Sequence, residues 1–388
     1  MKVLYLSSIW FSDIDLSMLP ELQKKVDVDY VLTIDQSNLK GCAVSIEKPY
    51  PHSGMYPASI YPELDKFSKV IDTKKMFVQN VYHGKKWFKF GPSLGLIWAS
   101  ISLLWFVLKN HYDVIHTPVE PTYLRFWLFL MNKKVVMANH DPLPHTGNYV
   151  NSYLMKSYKI FSHFQIFNKA QKEEFISRYH LETKNIYDSK LSIYTYLNMF
   201  NVENKDNPGD YILFFGRISP YKGLDYLLPA MKSVHEVIPN LKLIVAGNGK
   251  YHFDITEYEK LSYIDIQNRF INDDELAPLI AHAKFIVCPY TDATQSGVLM
   301  SCFAFNKTAI VTNVGGLPDM VGNGKLGLII PEKDKLSLSQ AIISLCQDEE
   351  KLKSYERLIS DVYTKGELSW NNITEGYLTM YHNVAKCK

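Results

Sequence analysis

The sequence has few cysteines and almost no excess of charge of either sign. Its 388 residues include five cysteines, scattered without the C-x-x-C spacing of zinc sites. An odd, scattered set argues against a disulfide framework and favours a reducing cytosol. With 42 basic and 40 acidic residues the net charge is +2, so the chain lacks the basic excess of proteins that bind nucleic acid.

The N-terminus also lacks the pattern of a secretory signal, because after one lysine it enters an apolar run that predicts a first β-strand. The uncharged run at residues 91–108 is 18 residues long, the lower limit for a helix that spans a membrane. A spanning helix would disrupt the strand that follows. We therefore expect a cytoplasmic protein in which this run forms a helix without crossing the bilayer.

Short apolar runs of strand length alternate with helical patterns along the whole chain. The clearest runs are KVLYL, DVIHT, KKVVMAN, FQIFN, YILFFG, LKLIVAG, KFIVCPY and TAIVTN. This alternation predicts α/β units whose parallel strands are buried on both faces. The chain length suits two domains, and the polar residues 201–210 are typical of a linker. The predicted fold is therefore α/β, with two Rossmann-like, doubly wound domains facing a cleft.

Two cations follow the strand predicted over YILFFG. Gly216 and Arg217 end that strand, and a short turn leads to Lys222 at the start of a helix. Open parallel sheets bind ligands at this edge, where Gly216 lets the backbone approach closely and the two cations suit a diphosphate. The same spacing is equally typical of a solvated loop. The pattern alone leaves both interpretations open.

Gln295, Ser296 and Gly297 follow the run KFIVCPY and begin an apolar helix. Free N–H groups at a helix start can hold anionic oxygens, although Ser296 is equally suited to be only an N-cap. Further glycine turns follow LKLIVAG and TAIVTN at the same predicted edge. The GxG after LIVA lacks the third glycine of the dinucleotide fingerprint, so NAD binding is not predicted.

His140, Asp141 and His145 follow the run KKVVMAN in a loop that holds two prolines. A histidine there can hydrogen-bond sugar hydroxyls or stabilise charge, or it is a loop histidine capped by Asp141. Asp13 and Asp15 are interpreted as part of a plain loop, because no further carboxylates accompany them in sequence. No metal ion and no cofactor is therefore predicted.

Seven motifs occur in order along nearly the whole chain: GRISPYKG, LIVAGNGK, RFINDDEL, TQSGV, VTNVGGLPDMV, GLIIP and SWNNITEGYLTMYHNV. In this order they resemble glycosyltransferase family 4, a group of retaining enzymes with the GT-B fold. Together with the linker, the resemblance implies an acceptor-side domain over residues 1–203 and a donor domain over residues 204–370. A last helix over residues 371–388 would cross back to the first domain.

The resemblance also implies roles for residues at the matching positions. Arg217 and Lys222 would hold the donor diphosphate, and Phe270 and Ile271 would lie where backbone groups meet the nucleobase. His140 would lie near the transferred sugar, with Asp141 and His145 on the acceptor side. Domain closure would then exclude water from the reaction.

The chain departs from the family pattern at one place. Family members often carry two glutamates, eight residues apart, around the helix that here begins near Ser296. The corresponding positions, 293 or 294 and 301 or 302, carry no carboxylate. We interpret the TQSG form, with Gln295, Ser296 and Gly297, as an alternative donor cradle.

Lys85, Lys86 and Lys89 are interleaved with aromatic residues just before the uncharged run at residues 91–108. Basic residues beside aromatics suit the headgroup layer of a membrane, although the run is also typical of a helix that is simply buried. We predict partial burial, with one face of the helix in the bilayer. This gives a peripheral contact at the inner face of the membrane.

The predicted function is a retaining, metal-independent hexosyltransferase that builds a polysaccharide or glycolipid. Its donor would be a UDP- or GDP-linked sugar, and its acceptor a glycan or a lipid-linked sugar. Retention implies attack on the leaving diphosphate's own face, with a donor oxygen taking the proton. Two alternatives remain: a non-catalytic GT-B subunit that assists a partner transferase, and a nucleotide-sugar 2-epimerase, which would need carboxylates that the TQSG helix lacks.

Overall fold

The computed structural model describes residues 1–83, 93–118, 128, 131–140, 158–167, 171–200, 210–293 and 295–386. Contacts between residues divide the chain into two compact units. One comprises residues 1–192 with 368–388, and the other comprises residues 193–367. The predicted linker lies outside the described residues, apart from Asp210.

The first unit is built on an eight-stranded sheet with the order β3-β4-β2-β1-β5-β6-β7-β8. Its strands are β1 (Lys2–Ser8), β2 (Asp27–Asp35), β3 (Gly54–Pro57), β4 (Met76–Val81), β5 (Val114–Pro118), β6 (Val135–Asn139), β7 (His163–Ile166) and β8 (Asn185–Asp188). Every pair is parallel except β3 with β4 at one edge. The chain winds outward from β1 in both directions, which is the doubly wound arrangement.

Helices of this unit are α1 (Ser12–Gln23), α2 (Leu94–Asn110) and α3 (Lys172–Tyr179). Ser93 starts α2 by accepting a hydrogen bond from the Leu96 N–H at 3.1 Å. The left-handed residue His111 ends it. Leu103 and Val107 pack into the core, and the opposite face of α2 stays exposed.

The second unit is built on a six-stranded, fully parallel sheet with the order β11-β10-β9-β12-β13-β14. Its strands are β9 (Tyr211–Phe215), β10 (Lys242–Ala246), β11 (Ile264–Gln267), β12 (Ile286–Cys288), β13 (Ala309–Thr312) and β14 (Gly327–Ile330). Its helices are α4 (Leu224–Val237), α5 (Asp273–His282), α6 (Gly297–Ala304), α7 (Leu317–Met320), α8 (Lys335–Gln347) and α9 (Glu349–Ser360).

Residues of β9 alternate between two hydrophobic clusters, one on each face of this sheet. Ile212 and Phe214 belong to the cluster that includes α4 and α8. Leu213 and Phe215 belong to the cluster that includes α6. Because successive side chains of a strand point to opposite faces, a strand buried on both faces is apolar throughout.

The last helix, α10 (Trp370–Lys386), belongs to the first unit, where it packs on α1. Lys25 reaches it with an ion pair to Glu375 at 2.6 Å. On its buried side, the Tyr381 hydroxyl lies 2.6 Å from Nδ1 of His116 in β5. The first strand and the last helix of the chain therefore belong to the same unit.

The α/β prediction, with two doubly wound sheets of parallel strands, is confirmed, and all eight runs quoted above contain a strand. The prediction of a plain loop at Asp13 and Asp15 is wrong, because both lie in the first turn of α1. Asp15 is buried and accepts a hydrogen bond from the Tyr30 hydroxyl at 3.1 Å. Burial raises the pKa of Asp15 to about 7.

We predict that Gly247→Ala destabilises the second unit by on the order of 3 kcal/mol. Gly247 has φ of 151°, and a Cβ there would lie 1.9 Å from the carbonyl oxygen of Gly216. Gly324→Ala is the matched control, because its φ is 95° but nothing lies within 4 Å of a Cβ. The control should lower the free energy of unfolding only through the strain of a positive φ, by about 1–2 kcal/mol. Equal losses in urea unfolding would show that the close approach is unimportant.

Candidate active site

The edge of the second sheet where its parallel strands end carries most of the predicted site residues. Gly216 follows β9 with φ of 107°, and its N–H donates to the Ala246 carbonyl at 3.0 Å. A Cβ at Gly216 would lie 3.3 Å from Cγ2 of Val298 in α6. The structure thus brings Gly216 and the start of α6 together.

Lys222 is buried at this edge although it carries a charge. Its ammonium lies 3.8 Å from the ring centroid of Tyr290 and 5.3 Å from that of Tyr221. No carboxylate of the described residues lies within 4 Å of it. Burial lowers the pKa of Lys222 to about 8, and the charge of the exposed Arg217 acts in the same direction.

The loop that carries Lys222 is fixed to the chain beyond β12. A short 3-10 turn over Pro220–Lys222 ends at Gly223, where a Cβ would lie 1.9 Å from the Pro289 carbonyl oxygen. The Thr291 N–H donates to the Tyr221 carbonyl at 2.8 Å. Two neighbouring strand ends therefore hold the lysine in place, in contrast to a solvated loop.

Ser296 occupies the N-cap position of α6, but its side chain makes no capping hydrogen bond. Its N–H donates to Sδ of Met320 at 3.3 Å, while Gln295 and Gly297 are exposed. The interpretation that Ser296 acts only as an N-cap is therefore wrong for its side chain. Its hydroxyl instead faces the phenol of Tyr290.

Three hydroxyls in the segments around Lys222 are buried without a hydrogen-bond partner among the described residues: those of Ser219, Tyr290 and Ser296. A buried hydroxyl left unpaired costs about 1–3 kcal/mol, so each needs an explanation. Because these oxygens are closed to solvent, a polar ligand at this sheet edge would reach them only after a local rearrangement. Both phosphate and sugar oxygens are suitable partners.

Phe270 and Ile271 lie in the turn between β11 and α5, at the same edge of the sheet. Phe270 is 54% exposed, while Ile271 packs against the core. Arg269 stiffens this turn through a bidentate ion pair with Glu275, with N–O distances of 2.6 and 3.1 Å. An exposed aromatic ring on a stiff turn offers a flat apolar surface.

His140 lies in the first unit, immediately after β6. Its imidazole is stacked between the rings of Phe11 and Phe167, with centroids 4.5 and 4.4 Å away. Burial lowers the pKa of His140 to about 4, so the ring is neutral at pH 7. It can donate and accept hydrogen bonds but carries no charge.

The remaining predicted site residues, Asp141, His145, Lys85, Lys86 and Lys89, lie outside the described residues. Sequence reasoning missed Ser219 and Tyr290. The signal for Tyr290 was its place directly after a strand run, at the edge where the other candidates lie. An aromatic residue in that place is interpreted as part of the hydrophobic core. The sequence does not show that the Lys222 ammonium lies over its ring.

Residues 197–363 match the family described as "Glycosyl transferases group 1". The match covers less than half of the chain, so it is a similarity of this segment to that family. An uncharacterized glycosyltransferase of Methanocaldococcus jannaschii is 30% identical over 195 residues, which are 48% of this chain and 53% of that protein. The chain thus matches only about half the length of this relative.

Solved structures resemble the whole chain. A glycosyltransferase from Rickettsia africae has a TM-score of 0.65 at 14% identity and covers 99% of both chains. An Anabaena protein solved in complex with UDP has a TM-score of 0.61 at 13% identity, covering 100% of this chain and 99% of its own. At such identities the likeness concerns the fold, which is GT-B with two Rossmann-like α/β sheets.

We predict that Ser296→Ala leaves the free energy of unfolding unchanged or raises it slightly. The substitution removes a buried hydroxyl that makes no hydrogen bond. Asp334→Ala is the matched control, because the Asp334 carboxylate caps α8 by accepting from the Leu336 and Ser337 N–H groups at 3.0 Å. That loss should cost about 1 kcal/mol. A similar loss for Ser296→Ala in urea unfolding would restore the capping interpretation.

Proposed function

We propose that the chain is a retaining, metal-independent hexosyltransferase that uses a UDP- or GDP-linked sugar. The observation that carries the proposal is the buried ammonium of Lys222, which has aromatic rings but no carboxylate of the described residues around it. It lies beside Arg217 in the segment that matches the glycosyl transferases group 1 family. A diphosphate would supply the negative charge that this site lacks.

The departing nucleoside diphosphate is where negative charge develops in the reaction. Arg217 and Lys222 would stabilise that charge, together with the positive end of the α6 dipole. The hydroxyls of Ser219 and Ser296, which the free protein buries, would hydrogen-bond donor oxygens after a local rearrangement exposes them. In a retaining reaction the acceptor hydroxyl attacks on the face that the diphosphate leaves, and a donor oxygen takes its proton, so no enzymic nucleophile is required.

Metal independence is proposed because two cations already provide the charge that Mg²⁺ would supply. Within the described part of the chain, no group of three His, Cys, Asp or Glu side chains is arranged to hold a metal ion. Asp13 and Asp15 are buried in α1, and Asp15 is engaged by Tyr30. This pair is therefore a poor metal site.

His140 is proposed to contact the transferred sugar. Its neutral ring, held by Phe11 and Phe167, can donate one hydrogen bond to a sugar hydroxyl and accept another. The aromatic sandwich fixes the orientation of the imidazole, which favours binding of a particular hydroxyl. Asp141 and His145 would complete the acceptor side.

For the acceptor we propose a glycan or a lipid-linked sugar, reached by peripheral contact with the inner face of the membrane. Helix α2 exposes six large apolar residues at helical spacing: Leu94, Ile97, Trp98, Ile101, Trp105 and Leu108. Lys109 lies 5.0 Å from the centroid of the Trp105 ring. Tryptophan and lysine side by side suit the boundary between acyl chains and headgroups.

A groove of about 500 Å³ runs beside this face, lined among others by Met55, Tyr56, Trp98 and Phe106. No helix in the described part of the chain combines the length and the apolar composition needed to cross a bilayer. Insertion of one helical face is therefore the mode of membrane contact that we propose. The three lysines at positions 85, 86 and 89 would add attraction to anionic headgroups.

A panel of nucleotides and nucleotide sugars tests the donor proposal. We expect a UDP- or a GDP-linked sugar to raise the Tm by a few degrees, because a ligand that binds only the folded state stabilises it. Arg217→Ala should lower kcat for sugar transfer by about 10²–10³-fold, with a smaller loss of donor affinity, because its charge acts mainly on the departing diphosphate. Arg357→Ala, which removes an exposed guanidinium from α9, should change neither.

The other outcomes identify the alternatives. A thermal shift without sugar transfer or hydrolysis, together with inversion at C2 of the sugar, would indicate a 2-epimerase. No shift with any donor would favour a non-catalytic subunit that assists a partner transferase. If sugar transfer were unchanged in Arg217→Ala, the assignment of the diphosphate to this loop would be wrong.

Vesicle sedimentation tests the membrane contact. The double variant Trp98→Ala with Trp105→Ala should weaken binding to anionic vesicles by tenfold or more, because each indole buries a large apolar area. Trp10→Ala is the matched control, since Trp10 is also exposed but does not lie on α2. Changing Lys85, Lys86 and Lys89 to glutamine should weaken binding to anionic vesicles only. Undiminished binding in both variants would contradict the proposal.

A further inference from the structure

Tyr290 is buried directly under the Lys222 ammonium. Its ring is only 1% exposed, and the 3.8 Å from ammonium to centroid is well inside the range of a cation–π contact. The Thr312 hydroxyl donates to the Tyr290 carbonyl at 2.5 Å and so fixes its backbone. The ring of Tyr221 meets that of Tyr290 edge-on, at 6.2 Å and 80°.

A buried ammonium needs compensation for its lost hydration, and the kind of compensation matters for function. A carboxylate partner would neutralise the charge and compete with a diphosphate. An aromatic face attracts a cation through its quadrupole and adds no net charge. The ammonium on such a face keeps its attraction for an anionic ligand.

The other groups that face Lys222 add no negative charge near neutral pH. Burial raises the pKa of the Cys288 thiol to about 11 and raises that of the Tyr290 phenol well above its ordinary value. Tyr221 is exposed and its ring is farther away, and Arg217 is itself a cation. Among these neighbours, the ring of Tyr290 therefore provides the main attraction for the ammonium.

We propose that Tyr290 is the positioning residue for Lys222: its ring holds the buried ammonium in its charged form and directs it at the donor diphosphate. The inference rests on the proposed function for its ligand. The contact itself is a property of the free protein. The two parts can therefore be tested separately.

The first experiment follows the titration of Lys222 without any ligand, by NMR of ¹³C-labelled lysine side chains, with Lys222→Met to assign the signal. Tyr290→Phe keeps the ring, so the pKa of Lys222 should stay near that of the wild type. Tyr290→Leu removes the ring, and the pKa should fall by about one unit or more. Tyr221→Leu, the control for the more distant ring, should shift it much less.

The second experiment measures the affinity for UDP and GDP between pH 6 and pH 8. A lowered pKa means that the ammonium is lost at lower pH. Tyr290→Leu should therefore bind the nucleotide several-fold more weakly than the wild type at pH 8 and nearly as well at pH 6. A loss independent of pH would indicate general damage to the site and would overturn the inference.

If Tyr290→Leu fails to fold, pentafluorophenylalanine can be placed at position 290, where it keeps the shape of the ring but reverses its quadrupole. It should lower the pKa of Lys222 by a similar amount. An unchanged titration of Lys222 in these variants overturns the inference even if the wild type transfers sugar. A wild type that binds neither UDP nor GDP, with the shift in Lys222 intact, overturns the proposed function and leaves the contact standing.

Discussion

A lysine ammonium held out of water over a tyrosine ring is the constraint on which the candidate site depends. Keeping Lys222 charged without a carboxylate requires an aromatic face at close range, and Tyr290 provides it at 3.8 Å. That geometry in turn requires the loop that carries Lys222 to lie against the chain after β12. Gly223 permits this, because any Cβ there would collide with the Pro289 carbonyl oxygen.

Parallel pairing explains how residues far apart in sequence reach one place. The strands β9, β12 and β11 all point the same way, so the segments that follow them emerge at one edge of the sheet. Lys222, Tyr290 and Phe270 each follow one of these strands. Burial of the strands on both faces fixes their register, and this precision extends to the loops at their ends.

The sequence was sufficient to predict eight of the strands that the structure describes, and the sheet edge that carries the candidate site. A doubly buried parallel strand is an unbroken apolar run, so YILFFG and KFIVCPY could be read without a structure. Side-chain partners could not be read in this way. Ser296 fits the pattern of an N-cap, yet its hydroxyl makes no capping hydrogen bond, and Asp15 lies in a helix where Tyr30 donates a hydrogen bond to it. Both outcomes depend on tertiary packing.

At the positions where the resembling family often has glutamates, this chain has small, uncharged side chains that are engaged in local packing and hydrogen bonds. Ala293 is buried, the Ser301 hydroxyl donates to the Gly297 carbonyl at 3.0 Å, and the Cys302 thiol donates to the Lys307 carbonyl at 2.6 Å. Each of these three side chains is thus buried, and two of them are hydrogen-bonded, within the second unit. Without carboxylates at these positions, little among the described residues offsets the positive charges of Arg217 and Lys222, which a diphosphate donor would then balance. Recognition of neutral sugar hydroxyls would pass to uncharged groups such as Ser296 and Gln295.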